Sequence, residues 1–288
     1  MFLDLDSWSL LSKKVDTLFG ECKLPGRKES LGMAHERIKT TQADAKIKCE
    51  RIRDWVLRRF TGRIPNSGVK RYCPVCRMPS RRFAEFGIVP REDAKCIWCG
   101  ALERHRLVWL YFKKMTDLFD GRPKSVLHIA PERMFENLLK HQFNSGYFTA
   151  DLSDSKAMVR MDITHVDYAE ETFDVIYCSH VLEHVSNDRR AIHELHRILK
   201  SDGWAVLLIP ITADRTFEDP SVTKPSERLK LFGQEDHVRR YGPDFVERLN
   251  EAGFKVKVIA ASDFLTEEEI THMGITDAAG QIYYCTKK

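Results

Sequence analysis

The sequence predicts an α/β fold, with a doubly wound, mainly parallel sheet preceded by a helical arm and a small cysteine-rich module. Three observations carry this expectation. From residue 125 onward, short β-like apolar runs alternate with helical segments, a pattern that puts helices on both faces of a parallel sheet. Residues 1–70 show helical periodicity, and residues 71–104 hold two matched C-x2-C pairs. The chain of 288 residues, 43% hydrophobic and 31% charged, is long enough to bury a full core.

In the arm, Phe2, Leu5, Trp8, Leu11, Val15, Leu18 and Phe19 recur at helical spacing, and Pro25-Gly26 breaks the pattern. A second helical stretch is expected from about 34 to 60, with a turn at Pro65-Asn66-Ser67-Gly68. An apolar face of this kind is expected to pack on the rest of the chain, or on a second copy as a homodimer contact through the N-terminal helices. Residues 1–72 hold 16 Lys/Arg against 9 Asp/Glu, whereas residues 110–288 hold 23 against 29. The net charge of +4 is too mild to mark a nucleic-acid binder by itself. No apolar run approaches the ~18–20 residues of a membrane span, so no transmembrane segment is expected. The early acids of MFLDLDSW argue against an export signal, and with the cysteine pattern they predict a cytoplasmic protein.

Cys73-Pro-Val-Cys76 and Cys96-Ile-Trp-Cys99 are nineteen residues apart, a spacing in the zinc-ribbon range. Each C-x2-C turn presents two thiolates to one side, and two turns complete a tetrahedron. Four protein ligands leave no open position, so a structural Zn2+ is expected on Cys73, Cys76, Cys96 and Cys99. Residues 101–120 then read as a linking helix with an apolar stripe.

The expected strands are 125–130, 147–152, 173–179, 204–210, 255–260 and 281–287, with helices over 132–141, 188–200 and 243–252 among them. In an open sheet of this type, ligands sit beyond the carboxyl ends of the strands. The first such end is His128-Ile-Ala130-Pro131-Glu132, where Pro131 suits the opening of a helix. Asp151 stands at the second strand end, nineteen residues after Glu132, close to the ~20-residue offset of ribose-binding acids.

The segments SVLHIAPE, TADLS, VRMDITH, FDVIYCSHVLEHV and ELHRILKSDGWAVLLIP occur in the order found in one family. Over about 160 residues, the chain resembles the class I S-adenosylmethionine-dependent methyltransferases, in particular the type 11 group. The resemblance implies a seven-stranded Rossmann-like sheet over 105–288, with S-adenosylmethionine as cofactor and S-adenosylhomocysteine as product. It implies that His128, Ala130, Pro131 and Glu132 form the cofactor turn, with Glu132 meeting the ammonium group and the helix N-terminus meeting the carboxylate. It further implies that Asp151 lies at the ribose with Leu152 also in the cofactor site, Asp162 and Ile163 at the adenine, and Ser179 and His180 beside the reactive sulfonium. The chain departs from the family at the first turn: His128, Ala130 and Pro131 stand where small, flexible residues are expected.

A hydroxyl acceptor needs a base, and histidine titrates in the useful range, so His180, His184 and His237 are the candidates. His237 falls in the stretch 211–243, too long for a plain connection and expected to form a lid, with Arg239, Arg240 and Tyr241 contacting substrate. The lead expectation is methyl transfer to a hydroxyl or amine of a small-molecule, sugar-containing or glycan-type acceptor. The alternatives are an RNA methyltransferase gripping RNA through ribbon and basic arm, and a non-enzymatic scaffold.

Overall fold

The computed structural model describes residues 70–287, so the expected helical arm and its dimer contact lie outside the described residues. Arg71–Arg77 and Arg82–Lys288 form one compact unit. Its centre is a sheet of β1 (Val126–Ile129), β2 (Tyr147–Asp151), β3 (Val159–Arg160), β4 (Phe173–Ser179), β5 (Leu199–Leu208), β6 (Phe254–Ile259) and β7 (Ile282–Lys287). The spatial order is β3-β2-β1-β4-β5-β7-β6. All neighbours run parallel except β7, which is antiparallel to both β5 and β6. The chain order reverses between β1 and β4, which is where such sheets bind ligands.

The central strands are apolar because both of their faces are covered. On β4, Val175 and Tyr177 point into one core, and Ile176 and Cys178 into the other. On β5, Trp204, Val206 and Leu208 alternate in the same way with Ala205 and Leu207. Helices α1 (Glu103–Met115) and α2 (Arg133–Phe143) cover the first face, and α3 (Asp188–Ile198) and α5 (Phe245–Glu251) the second. The short α4 (Pro225–Phe232) lies in the excursion between β5 and α5, and α6 (Glu267–His272) follows β6.

Several boundaries depart from expectation: the linking helix expected over 101–120 spans Glu103–Met115, and the largest difference follows α3. The helix expected to reach residue 200 ends at Ile198, and β5 begins at once with Leu199. The register between β4 and β5 shifts there: Phe173 faces Leu199 while Val175 faces Trp204. Lys200-Ser201-Asp202-Gly203 is thus a bulge in a strand rather than a free turn, and a Cβ on Gly203 would stand 2.7 Å from the Asp174 carbonyl. The two-residue β3 is too short to show a period of its own.

Ahead of the sheet, Ala84–Phe86 pairs antiparallel with Arg91–Lys95, and the two C-x2-C turns flank this hairpin. Helix α1 joins it to the sheet and is buried nearly all round, with Leu107, Val108, Trp109, Leu110, Tyr111 and Phe112 inside. Trp109 stacks on Phe135 of α2 at 5.4 Å, and Phe112 meets Tyr177 of β4 edge-on at 5.3 Å.

Candidate cofactor site and its surroundings

Chain geometry at the end of β1 answers the missing glycine. Ala130 adopts φ +50°, and its N–H donates to the Ala150 carbonyl at 2.8 Å. The left-handed turn that glycine makes freely is therefore made by alanine, at a cost of about 1–2 kcal/mol. His180, at the end of neighbouring β4, is left-handed too (φ +54°), with its N–H on the Leu208 carbonyl. The two strand ends that border the switch point both carry this strain.

Glu132 is the N-cap of α2 and the hub of the site. Its Oε1 receives the Ser179 hydroxyl at 3.1 Å and lies 2.9 Å from His105 Nε2. The Leu102 N–H donates to Nδ1 of the same histidine at 2.9 Å. Nδ1 is then an acceptor, so His105 is the neutral tautomer whose Nε2–H donates to the carboxylate. Burial holds the His105 pKa below its usual value, partly offset by Glu132, in keeping with that neutral form. Burial pushes Glu132 up, but the His105 hydrogen bond and the closeness of the His105 and His128 rings outweigh it and hold the carboxyl well below the usual range. His128 is fully buried, with Nδ1 2.8 Å from the Tyr147 hydroxyl and Nε2 receiving the Glu132 N–H at 3.4 Å. His128 therefore braces Glu132 from within the core. The other carboxylate oxygen, Oε2, is buried and accepts no hydrogen bond.

Asp151 closes β2, and its Oδ1 accepts the N–H groups of Ser153 and Asp154, each at 2.7 Å. Burial raises the Asp151 pKa, and the Asp154 and Ser153 backbone donors with the Ser153 hydroxyl together more than reverse it. The side chain is thus held ionised and fixed in direction at the strand end. Leu152 beside it is exposed. Asp162 is exposed after β3 and accepts from the Thr164 N–H and hydroxyl, while Ile163 is buried in the core of the second face.

Beyond β4, the 3-10 turn Leu182–His184 faces the loop from α4 to Arg239. This brings His184 to His237, with His180 beside Glu183 on the same turn. The His184 and His237 rings meet edge-on at 4.7 Å, and His180 Nδ1 lies 3.1 Å from Glu183 Oε1. Burial lowers the His237 pKa, only partly countered by Glu183.

Arg239 and Tyr241 are placed differently from the substrate contacts the sequence suggests. Arg239 is 2% exposed, and its guanidinium donates to Glu218 and to the carbonyls of Leu182, Val185 and Ser186. Tyr241 is fully buried with its hydroxyl on Asp188 at 2.6 Å. Both brace the 211–243 excursion instead of pointing to a ligand. Arg240 is the partly exposed member and donates to Thr212.

In the ribbon, Cys73 Sγ lies 3.7 Å from Cys99 Sγ, and Cys76 Sγ 3.7 Å from Cys96 Sγ. Four sulfurs at about 2.3 Å from one zinc ion are about 3.8 Å apart, so the cluster fits Zn2+. Cys73, with Cys96 and Cys99, pushes the Cys76 thiol far up, since adjacent thiolates need a cation between them. Gly100 closes the second turn at φ +80° and Arg77 the first at φ +59°.

A cavity of about 630 Å3 lies at the opposite edge of the sheet, against Ser125, Phe148 and Asp174 at the amino side of the strands, away from every group above.

Three comparisons bear on this arrangement. Residues 125–207, which run from the start of β1 through β5, match the family model described as a methyltransferase domain. An uncharacterized protein of Methanocaldococcus jannaschii is 35% identical over 81 residues, covering 26% of this chain; the match spans only 35% of that relative's length. Among solved structures, an S-adenosylmethionine dependent methyltransferase from Mesorhizobium loti is 15% identical with a TM-score of 0.45, covering 62% of this chain and 97% of that one. A 1,6-didemethyltoxoflavin-N1-methyltransferase of Burkholderia thailandensis is 14% identical with a TM-score of 0.39, covering 67% and 81%. The domain match and the strand order agree that residues 125–207, the strands β1 to β5 with their helices, are similar to a methyltransferase domain.

Proposed function

We propose that residues 105–288 transfer a methyl group from S-adenosylmethionine to a hydroxyl or amine of a small-molecule or sugar-containing acceptor. The observation that carries this reading is Glu132 Oε2, a buried carboxylate oxygen with no donor at the end of β1. A buried acceptor of this kind is costly unless a ligand completes it, and the cofactor's ammonium group is the matching donor. The first amides of α2 take the carboxylate, and Asp151 takes the ribose hydroxyls. Asp162 takes the adenine amine, with Leu152 and the edge of Ile163 against the ring. Bound there, the cofactor supplies a sulfonium methyl for in-line displacement. Ser179 and His180 line the point of transfer, and a histidine of the 180/184/237 group takes the acceptor's proton. The excursion 211–243 covers the site and excludes water.

Calorimetric titration of zinc-loaded protein with S-adenosylhomocysteine tests this reading. Micromolar binding at one per chain is expected, weakened at least tenfold in Glu132→Gln, about 1.4 kcal/mol. Absence of binding to folded protein would leave the scaffold reading in its place.

A further inference from the structure

Glu183 is an anomaly that the cofactor site does not use. Its side chain is 1% exposed; His180 Nδ1 lies 3.1 Å from Oε1 without forming a well-aligned hydrogen bond, and Oε2 has no donor at all. A buried carboxylate in that state needs positive charge or donors from elsewhere. Its neighbours are imidazoles. Ligand atoms of Glu183, His184 and His237 all lie within 4.8 Å of one another. Ligands about 2.0–2.2 Å from one ion are spaced about 3–4 Å apart, so closing on an ion takes a shift of no more than about an ångström.

The surroundings of the two rings fit the same use. His237 Nδ1 lies 3.3 Å from the Phe232 carbonyl, and His184 Nδ1 lies 3.1 Å from Asp236 Oδ2. Both partners are acceptors, so each Nδ1 carries the proton and each Nε2 is left with its lone pair. Outer oxygens of this kind orient the histidines that hold metals. The cluster also sits at the strand end where an acceptor must approach, on the turn following His180.

The geometry points to a second metal site, separate from the ribbon: a divalent first-row transition ion held by Glu183, His184 and His237. Two imidazoles and one carboxylate suit Mn2+, Fe2+, Co2+ or Zn2+ over the harder Mg2+. Three protein ligands leave positions open, as in catalytic rather than structural sites.

The role of the ion rests on the methyltransferase reading; the site does not. An ion held there would coordinate an acceptor oxygen and acidify its hydroxyl, which would select a hydroxyl-bearing acceptor over an amine. His180 takes the hydroxyl proton. The oxygen's electron pair forms the new O–CH3 bond as the S–CH3 bond breaks, and that bond's pair stays on sulfur as the neutral thioether. His184 and His237 are then ligands, and only His180 remains as the base.

The test is a Mn2+ titration of the full zinc-loaded chain, read by loss of the free-ion electron paramagnetic resonance signal. Zinc is supplied at one equivalent per chain, which the four ribbon thiolates take up first, and free zinc is removed, so Mn2+ reports on the second site. One Mn2+ per chain is expected, with affinity reduced at least about tenfold in Glu183→Gln, His237→Gln and the more exposed His184→Gln. S-adenosylhomocysteine binding unchanged within about twofold in the same variants marks them as folded. A wild-type chain that binds neither Mn2+ nor Co2+ overturns the site, as do three folded variants that bind as the wild type does. Mn2+ bound without S-adenosylhomocysteine would keep the metal site and remove the methyltransferase reading.

Discussion

At Ala130, a single methyl group opposes the turn that the site requires. With φ at +50°, the residue holds a conformation in which glycine is free and alanine is strained. Ala130→Gly is therefore expected to stabilise the fold by about 1 kcal/mol, a rise of about 2–4 °C in Tm. A lower Tm would mean that the methyl group is held by packing that outweighs its strain. Glu132 makes the second prediction at this scale. Its folded pKa lies well below the unfolded value of 4.5, so its contribution is complete above that value and is lost as the pH falls through the folded one. Glu132→Gln should cost about 1.5–3 kcal/mol at neutral pH, since it removes hydrogen bonds to a charged group. The gap between wild type and variant should narrow as the pH drops below about 4.5, followed by denaturant titration at each pH. A constant gap would mean that the carboxyl is already protonated in the folded state.

Two elements outside the sheet illustrate how polar groups are held. The ribbon is tied by its four sulfurs, and Cys96→Ser is expected to release about one zinc ion per chain and lower Tm, as metal analysis and a melt would record. Unchanged metal content would remove zinc from the ribbon. The 211–243 excursion is tied by an ion cluster that is buried except at Glu218: Arg248 Nη1 lies 2.7 Å from Asp188 Oδ2, Arg248 Nη2 meets Glu218, and Arg239 joins both acids. Asp188→Ala leaves the Arg248 guanidinium and the Tyr241 hydroxyl short of a partner in the interior, and should cost about 3–5 kcal/mol in denaturant unfolding. A loss under 1 kcal/mol would mean that water replaces the carboxylate. Sequence reasoning assigned Arg239 and Tyr241 to substrate because they are polar and lie in a long loop. Their actual partners come from 21 to 59 residues away, and no local spacing announces such contacts.

Over the whole molecule, what was legible follows the covalent order of the chain. Strands β1, β4 and β5 could be read because burial on both faces leaves unbroken apolar runs. Asp151 and Glu132 could be read because a parallel sheet brings every strand end to one edge, so register alone places them together. The cysteines could be read because two short turns specify a tetrahedron. His105 could not, since it reaches Glu132 from a helix packed across the face, 27 residues earlier. Glu183 stands inside a motif legible in the sequence, yet only its burial shows how few donors its carboxylate has.

The side chain of Arg106 ties these regions in one place. Fully buried over the Phe83 ring, it donates to the carbonyls of Ala94 and Ala101 in the ribbon and of Gly274, which lies 168 residues further along the chain. During synthesis the ribbon emerges long before Gly274, and until then its central cation lacks one of its three acceptors. The earliest described module is thus among the last to be sealed. A ribosome must carry the chain past α6 before the four-cysteine module reaches its final strength, so a nascent chain halted short of Gly274 is expected to bind added zinc more loosely than the finished one.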